Sequence, residues 1–148
     1  MKALDYPPIW LAGFLAIAWG LARYFPQTVF DVPFKGFIAG VLVLAGLVLM
    51  ALAVYEMSRA KTTIVPRKDP NALVTSGIFK RTRNPIYLGD LLFLAAGVIW
   101  WGSVSAILLL WIFPYVINRR FIYGEEAKMR EFFGKTFDDW SEKTKCWW

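Results

Sequence analysis

The chain has 148 residues, of which 57% are hydrophobic and 18% aromatic, and it carries eight tryptophans. A soluble domain of this size has too little interior to hide that much apolar surface, so the composition predicts a membrane protein. The chain has no histidine and a single cysteine, Cys146, which excludes histidine metal sites, histidine general bases and an internal disulfide. The net charge of +6 suggests nucleic acid, but the positions of the basic residues favour a membrane explanation.

Three uncharged stretches, residues 7–22, 36–55 and 91–118, indicate membrane-spanning helices. The third would form a helix of about 42 Å, which is too long for one untilted span. Seven Lys or Arg lie between residues 59 and 83, and seven more follow residue 118. A helical hairpin that turns at Trp101-Gly102-Ser103 places both basic blocks in the cytoplasm, as the positive-inside rule requires, whereas a single span separates them. The basic excess is therefore interpreted as a topology signal, with anionic lipid as a neighbour and no nucleic acid partner.

The predicted fold is an all-α integral membrane domain over residues 1–148 with both termini in the cytoplasm, placed in a bacterial inner membrane. It has four transmembrane helices, the last two forming a short hairpin, at about 7–24, 35–56, 86–101 and 103–119. A cytoplasmic loop covers 57–85, and amphipathic cytoplasmic helices cover 124–145.

Prolines and glycines mark the predicted breaks. Pro66, Pro70 and Gly77 prevent a long helix in the loop. Gly124 is taken as the start of the C-terminal helices and Gly134 as the break between them, and the aromatic pair that ends the chain is expected at the membrane interface.

The segment entering the third span carries polar side chains suited to a bound anion. Pro85 is preorganised for a helix start, where free backbone N–H groups favour a carboxylate or phosphate. Arg83 and Asn84 add donors there, although Arg83 could instead reach lipid headgroups. Asp90, one turn inside the span, requires a partner, for which Arg83 is a candidate. Glu56 is expected at the interface and solvated.

Glu125 and Glu126 follow the fourth span, just after a basic collar. Two carboxylates there suit a cationic ligand or an arginine partner, and they also suit the first turn of a helix that opens after Gly124. The sequence has no glycine-rich phosphate or dinucleotide motif and no HExxH metal motif, so no metal is predicted.

The order and spacing of several short motifs resemble the isoprenylcysteine carboxyl methyltransferase family, and above all its small bacterial members, which are related to phospholipid N-methyltransferases. The resemblance covers roughly residues 55–148. It rests on these segments: Thr62 to Pro66, Leu73 to Gly77, Arg83 to Gly89, Asn118-Arg119, Glu125-Glu126, Phe133-Gly134 and the closing tryptophan.

The resemblance implies a methyltransferase that holds S-adenosylmethionine near the cytoplasmic face. Its implied cofactor contacts are Ala72, Leu73, Val74, Phe79, Asn84, Pro85, Tyr87 and Glu125. Its implied catalytic residues are Arg83, Glu125 and Arg119. The arginine that binds substrate carboxylate in the prenylcysteine enzymes is replaced by Phe121, for which Arg119 or Arg120 could substitute.

The function expected from the resemblance is methyl transfer to a lipophilic acceptor, either a prenylcysteine-like carboxylate, a phospholipid amine or another lipid. Two alternatives stay open. A sterol-reductase-like NADPH oxidoreductase shares the Arg-x-Pro-x-Tyr-x-Gly-Asp run that ends at Asp90. A non-catalytic scaffold or lipid-binding protein would keep the helices without the chemistry. The sequence leaves open the acceptor, the oligomeric state and the roles of Asp90 and Glu126.

Overall fold

A computed structural model describes residues 6–29, 31, 33–63 and 68–148. Pro66 and its neighbours at 64–67, part of the predicted loop, lie outside the described residues. The described chain is helical and without β-strands. Its α-helices are α1 (Pro7–Tyr24), α2 (Lys35–Arg59), α3 (Pro85–Trp101), α4 (Leu109–Ile117), α5 (Tyr123–Phe133) and α6 (Lys135–Lys143). Short 3-10 helices occupy Pro26–Thr28, Gly77–Lys80 and Ser105–Leu108, and a π-helical turn occupies Asn118–Ile122.

Helix α2 packs on α3 through small residues. Its buried positions, Ala39, Gly46 and Ala53, recur every seven residues and so lie on one face. A Cβ added at Gly46 would lie 3.0 Å from the Gly89 carbonyl oxygen of α3, so the two backbones are in close contact there. The helix runs to Arg59, beyond the predicted end at residue 56, because no proline or glycine lies between residue 56 and Arg59.

The rest of the α2 surface is apolar and exposed. Its large exposed apolar side chains are Phe37, Ile38, Val41, Val43, Leu44, Leu47, Val48, Leu52, Val54 and Tyr55. An exposed apolar surface this extensive is unfavourable in water, whereas hydrocarbon accommodates it. In the described part of the chain, two helical segments are long and apolar enough to cross a membrane: α2, and the continuous 29-residue helix Ser105–Phe133. Helix α3 is apolar but shorter, and the four-span arrangement and its sidedness stay predictions.

The chain breaks at the turn predicted between the third and fourth spans. Helix α3 ends at Trp101, and Gly102 adopts a left-handed conformation with φ of 66°, which glycine tolerates without steric cost. Ser103 pairs with Val29, so the connector between α1 and α2 lies beside this turn. A second pairing, Thr82 with Lys145, joins the loop before α3 to residues 144–148, which form the C-terminal segment.

Helix α5 begins at Tyr123, within one residue of the predicted start, but the predicted break between it and the fourth span is absent. Helix α4 continues through the π-helical turn into α5, so Gly124 lies inside a helical run that begins at Ser105. A Cβ at Gly124 would meet nothing within 4 Å, and a glycine in an exposed helix lowers stability without ending the helix. Glu125 and Glu126 therefore do not occupy the free first turn of a new helix. Gly134, by contrast, does end α5, with φ of 50°.

Candidate active site

The candidate site lies where an apolar cluster ends in polar side chains. The cluster joins α1, α3 and α4, and its members include Phe14, Tyr87, Leu94, Phe113, Ile117 and Phe121. The rings of Tyr87 and Phe121 lie 6.4 Å apart between centroids and are tilted. Both are buried, so the phenol of Tyr87 projects its hydroxyl from an apolar wall.

The Tyr87 hydroxyl donates a hydrogen bond of 2.9 Å to Oε1 of Glu125. The π-helical turn lies directly before this glutamate in the chain, at Asn118–Ile122. A π-helical turn inserts one residue into the helix and changes which side chains face the core, and such turns are frequent at functional sites. Here Phe121 and Ile122 are both buried, and Glu125, which follows the turn, lies within hydrogen-bonding distance of Tyr87. The structure thus joins two residues that the resemblance assigned to the cofactor.

Arg83 bonds to Glu126 and to the C-terminal segment, not to Asp90. Its Nε and Nη2 atoms each lie 2.9 Å from Oε1 of Glu126. Its Nη1 donates to the carbonyl oxygens of Ser141 and Thr144, at 2.6 and 2.7 Å. The expected pairing with Asp90 is therefore wrong, although that residue is buried as expected.

These contacts change the interpretation of Arg83. Its side chain is only 16% exposed and that of Glu126 only 21%, so the pair is largely shielded from solvent. The guanidinium already has a carboxylate and two carbonyl acceptors, and it is the arginine partner that the two acids had suggested. We therefore interpret Arg83 as a residue that positions the C-terminal segment.

Residues 144–148, the C-terminal segment, lie across the start of α3. Asn84 donates from Nδ2 to the Cys146 carbonyl oxygen at 3.0 Å. The Trp147 indole N–H donates to Oδ1 of Asn118 at 3.0 Å. Of the two closing tryptophans, Trp147 is therefore held against the protein core and Trp148 is exposed.

The Cys146 thiol is half-buried in this network, where it contacts Asn84 and Asn118. Burial, and to a lesser degree the charge of Glu126, raises the pKa of the Cys146 thiol above its ordinary value, against smaller lowering effects from Arg83 and Asn84. Sequence reasoning assigned no role to Cys146 and did not identify which arginine pairs with Glu126, because their partners are 62 and 43 residues away along the chain.

The segment 71–79, predicted to contact the cofactor, is held by hydrogen bonds at both of its ends. The Asn71 and Ala72 N–H groups donate to Oγ1 of Thr62, at 3.1 and 3.3 Å. Leu73 is half-buried, and Val74 and Phe79 are buried against Ala53. The Trp140 indole of α6 donates to the Phe79 carbonyl oxygen at 3.2 Å.

Glu56 closes the same segment from α2. Its carboxylate accepts a hydrogen bond from the Ser76 hydroxyl, so the expectation that Glu56 is merely solvated is wrong. The next residue, Gly77, has φ of +55°, and a Cβ there would clash with the Glu56 side chain.

Arg119 is not brought to the Tyr87–Glu125 pair. It is exposed, with its guanidinium 5.6 Å from the centroid of the Tyr115 ring. Arg120 lies over Trp10 of α1 at 5.4 Å. Phe121, at the position of the family arginine, is only 2% exposed and packs against Tyr87.

The side chains at this site suit the cationic groups of S-adenosylmethionine better than its carboxylate. The carboxylate of Glu125 accepts a hydrogen bond from Tyr87, whose ring packs against Phe121, and a carboxylate in this position is chemically matched to a sulfonium or ammonium group. Arg83 already has acceptors for its donors. The residues present thus fit the positive half of the cofactor.

Comparison with known sequences decides the family. The sequence model of phospholipid methyltransferases matches residues 34–136. The chain belongs to the phospholipid methyltransferase family. This match spans α2 to the start of α6 and so includes Tyr87, Glu125 and the π-helical turn. The predicted relationship to the isoprenylcysteine and phospholipid methyltransferases is confirmed.

Two curated relatives come from rice. Each is called a probable protein-S-isoprenylcysteine O-methyltransferase, one from Oryza sativa subsp. indica and one from subsp. japonica. The chain is 28% identical to each over 116 residues, which cover 74% of this chain and 59% of the relative. It thus spans less than two thirds of their length. No solved structure matches the chain.

Proposed function

We propose that the chain is an S-adenosylmethionine-dependent methyltransferase that acts on a lipophilic acceptor at the cytoplasmic face of a membrane. The observation that carries the proposal is the Tyr87–Glu125 hydrogen bond. It lies within the family match, beside the π-helical turn, and at the polar end of an apolar cluster. Membership of the phospholipid methyltransferase family supports methyl transfer as the reaction in which this pair takes part.

The chain's own residues supply charge and orientation. When bound, S-adenosylmethionine supplies an electrophilic methyl group on a sulfonium. Glu125 places a negative charge beside the aromatic wall, and the Tyr87 hydroxyl fixes the direction of that carboxylate. Methyl transfer is a displacement between two bound reactants, so positioning of this kind can supply much of the rate enhancement. The segment at 71–79 is proposed to hold the remainder of the cofactor.

The charges at the site favour an amine acceptor over a carboxylate. The position where the prenylcysteine enzymes have an arginine is the buried Phe121, and Arg119 lies elsewhere, over Tyr115. Arg83 is bonded to Glu126. An amine must lose a proton before it accepts a methyl group, and Glu125 is placed to take that proton. A phospholipid amine, reached laterally from the membrane, is the acceptor that we infer.

Binding of S-adenosylhomocysteine by calorimetry tests the site. We expect Glu125→Gln to weaken binding of this product by about tenfold or more, because the charge-assisted contact with the cationic amino group is lost. Glu131→Gln is the matched control, since Glu131 is an exposed carboxylate on the same helix. Equal affinities for the two variants would overturn the site assignment. Binding of NADPH in place of S-adenosylhomocysteine would favour the reductase alternative.

A further inference from the structure

A basic hollow lies beside the C-terminal segment, and neither Tyr87 nor Glu125 is among the residues that line it. It encloses about 300 Å³ and is lined by Arg81, Lys143, Lys145 and Trp148. The Arg83 N–H donates to the Lys145 carbonyl oxygen at 2.9 Å, and this contact fixes the loop that carries Arg81 beside the C-terminal segment. Within the described ranges, none of the three basic side chains forms an ion pair.

Arg81, Lys143 and Lys145 are exposed, so water screens their mutual repulsion, but an anion in the hollow would be attracted by all three at once. The side chains come from separate elements: Arg81 follows the 3-10 helix Gly77–Lys80, Lys143 ends α6, and Lys145 belongs to the C-terminal segment. Their convergence is therefore a product of tertiary folding and differs from a charge run along one exposed helix. The hollow is suited to a phosphate group.

An apolar groove opens on the outer side of α2 and α3. It encloses about 530 Å³ and is lined by Ala45, Val48, Leu49, Leu88, Leu92 and Trp148. The close contact of Gly46 with Gly89 brings the helix backbones together, and the larger neighbouring side chains form the walls of the groove beside that contact. Val48 at its rim is 48% exposed, so the groove faces the surroundings of the helices and not the protein core. Its lining offers a hydrocarbon chain the same environment as the membrane interior.

Trp148 lines both the hollow and the groove. An amphiphile with a phosphate at one end and a hydrocarbon chain at the other would fill both at once. We infer that the hollow and the groove form one binding site for an anionic glycerophospholipid, with its phosphate among Arg81, Lys143 and Lys145 and an acyl chain against α2 and α3. Three cations select against a zwitterionic lipid, whose ammonium they repel. A free phosphate would leave the groove unused, and the indole of Trp148 is suited to the boundary between head and chain.

Neither Tyr87 nor Glu125 lines the hollow or the groove, and the proposed anionic lipid differs in charge from the amine-bearing acceptor. Arg81 and Lys145 are adjacent in sequence to Thr82 and Cys146, which contact each other through the Thr82 hydroxyl at 3.4 Å. A bound lipid would therefore brace the C-terminal segment from its outer side. The inference stands without the methyltransferase activity, and the two can fail separately.

Native mass spectrometry of the full chain in an uncharged detergent tests the site. The protein is incubated with equal amounts of phosphatidylglycerol and phosphatidylcholine of the same chain lengths, and the retained lipid is measured. We expect the protein to retain phosphatidylglycerol in preference. The triple variant Arg81→Gln, Lys143→Gln, Lys145→Gln should lower its affinity for phosphatidylglycerol by about 100-fold, since each basic residue near an anionic lipid contributes about fivefold.

A second triple variant controls for net charge. Arg59→Gln, Lys68→Gln and Lys135→Gln remove the same charge from exposed positions outside the hollow, and retention should be unchanged. Equal loss in both triple variants, or equal retention of the two lipids by the unmodified chain, would overturn the inference.

The groove has its own pair of variants. Ala45→Phe fills the groove and should reduce retention of phosphatidylglycerol, whereas Ala51→Phe, at an exposed position on the same helix outside the groove, should not. The site binds a phosphate alone, and the lipid assignment is wrong, if the basic triple variant reduces retention of phosphatidylglycerol but Ala45→Phe does not. The same conclusion follows if inorganic phosphate displaces phosphatidylglycerol at the concentration at which the lipid itself binds. Binding of S-adenosylhomocysteine by the basic triple variant, measured in parallel, shows that the two sites are independent.

Discussion

Gly77 shows why a glycine in the loop before α3 is required. Its φ is +55°, and a side chain would place Cβ within 3 Å of three atoms of Glu56. An L-residue in this conformation is strained, and the clash would displace Glu56 from Ser76.

Replacement of Gly77 by alanine should therefore destabilise the protein by about 1–3 kcal/mol. Gly124→Ala is the matched control, because its Cβ meets nothing within 4 Å and alanine favours the helix. Thermal unfolding in detergent should show a lower midpoint for the first variant and an equal or higher midpoint for the second. A Gly77→Ala variant as stable as the unmodified chain would contradict the structure of this loop.

The Cys146 thiol provides a pH-dependent probe of the C-terminal segment. Its pKa is raised by burial, so the folded chain favours the neutral thiol. This preference contributes stability that is fully present below the pKa of the unfolded chain and is lost as the pH rises through the higher folded value.

Maleimide labelling measures this shift directly. We expect the folded chain in mild detergent to react more slowly than the chain unfolded in dodecyl sulfate, and its rate to rise at higher pH. Cys146 is the only cysteine, so the label reports one site. If the pH at which the labelling rate is half-maximal is the same or lower for the folded chain than for the unfolded chain, the thiol is not buried as described.

At the scale of elements, Arg83 couples the start of α3 to α5 and to the C-terminal segment. It contacts Glu126, Ser141 and Thr144 through three of its nitrogen atoms. Lysine keeps the charge but cannot reproduce the planar fork of the guanidinium.

Arg83→Lys should therefore loosen the C-terminal segment and lower stability by about 1.5–3 kcal/mol. Hydrogen exchange should increase at residues 141–147, while exchange within α2 stays unchanged. Lys80→Gln, a change at an exposed basic residue in the same loop, serves as the control. Unchanged exchange in Arg83→Lys would mean that this arginine does not hold the segment.

The helices were predictable where the signal is local. Apolar runs and charge boundaries give α1, α2 and α3 to within a few residues, and Gly102 and Gly134 mark real breaks because both need a left-handed or unusual backbone. Gly124 was predicted to be a break because the prediction used only the local presence of a glycine. In an exposed helical position it costs stability but needs no special conformation, so the helix continues through it.

The π-helical turn could not be read from residues 118–122. No composition rule distinguishes those residues from an ordinary helical turn, because the extra residue is stabilised by what the turn presents to its neighbours. The same limit applies to the contacts of Arg83 with Glu126 and of Glu56 with Ser76. These pairs lie 43 and 20 residues apart, so only the folded chain brings them together. The family resemblance supplied Tyr87 and Glu125, and the fold supplies the bond between them.

At the scale of the whole molecule, charge and hydropathy are segregated. The exposed surface of α2 is apolar. The loop before α3, α6 and the C-terminal segment carry many of the basic side chains and lie together. The Val29–Ser103 pairing joins the connector between α1 and α2 to the turn after α3, away from these basic segments. This distribution agrees with a membrane domain whose polar site lies at its basic end, which is the arrangement that the proposed function requires.

The central claim is that the Tyr87–Glu125 pair supports methyl transfer to a membrane lipid. The most direct measurement is the transfer of a radiolabelled methyl group from S-adenosylmethionine to the lipid fraction of membranes that contain the full chain. We expect time-dependent labelling of an amine-bearing lipid, reduced at least about 100-fold in Glu125→Gln and unchanged in Glu131→Gln. Labelling that persists in Glu125→Gln, or no labelling of lipid by the folded, cofactor-binding protein, would contradict the account.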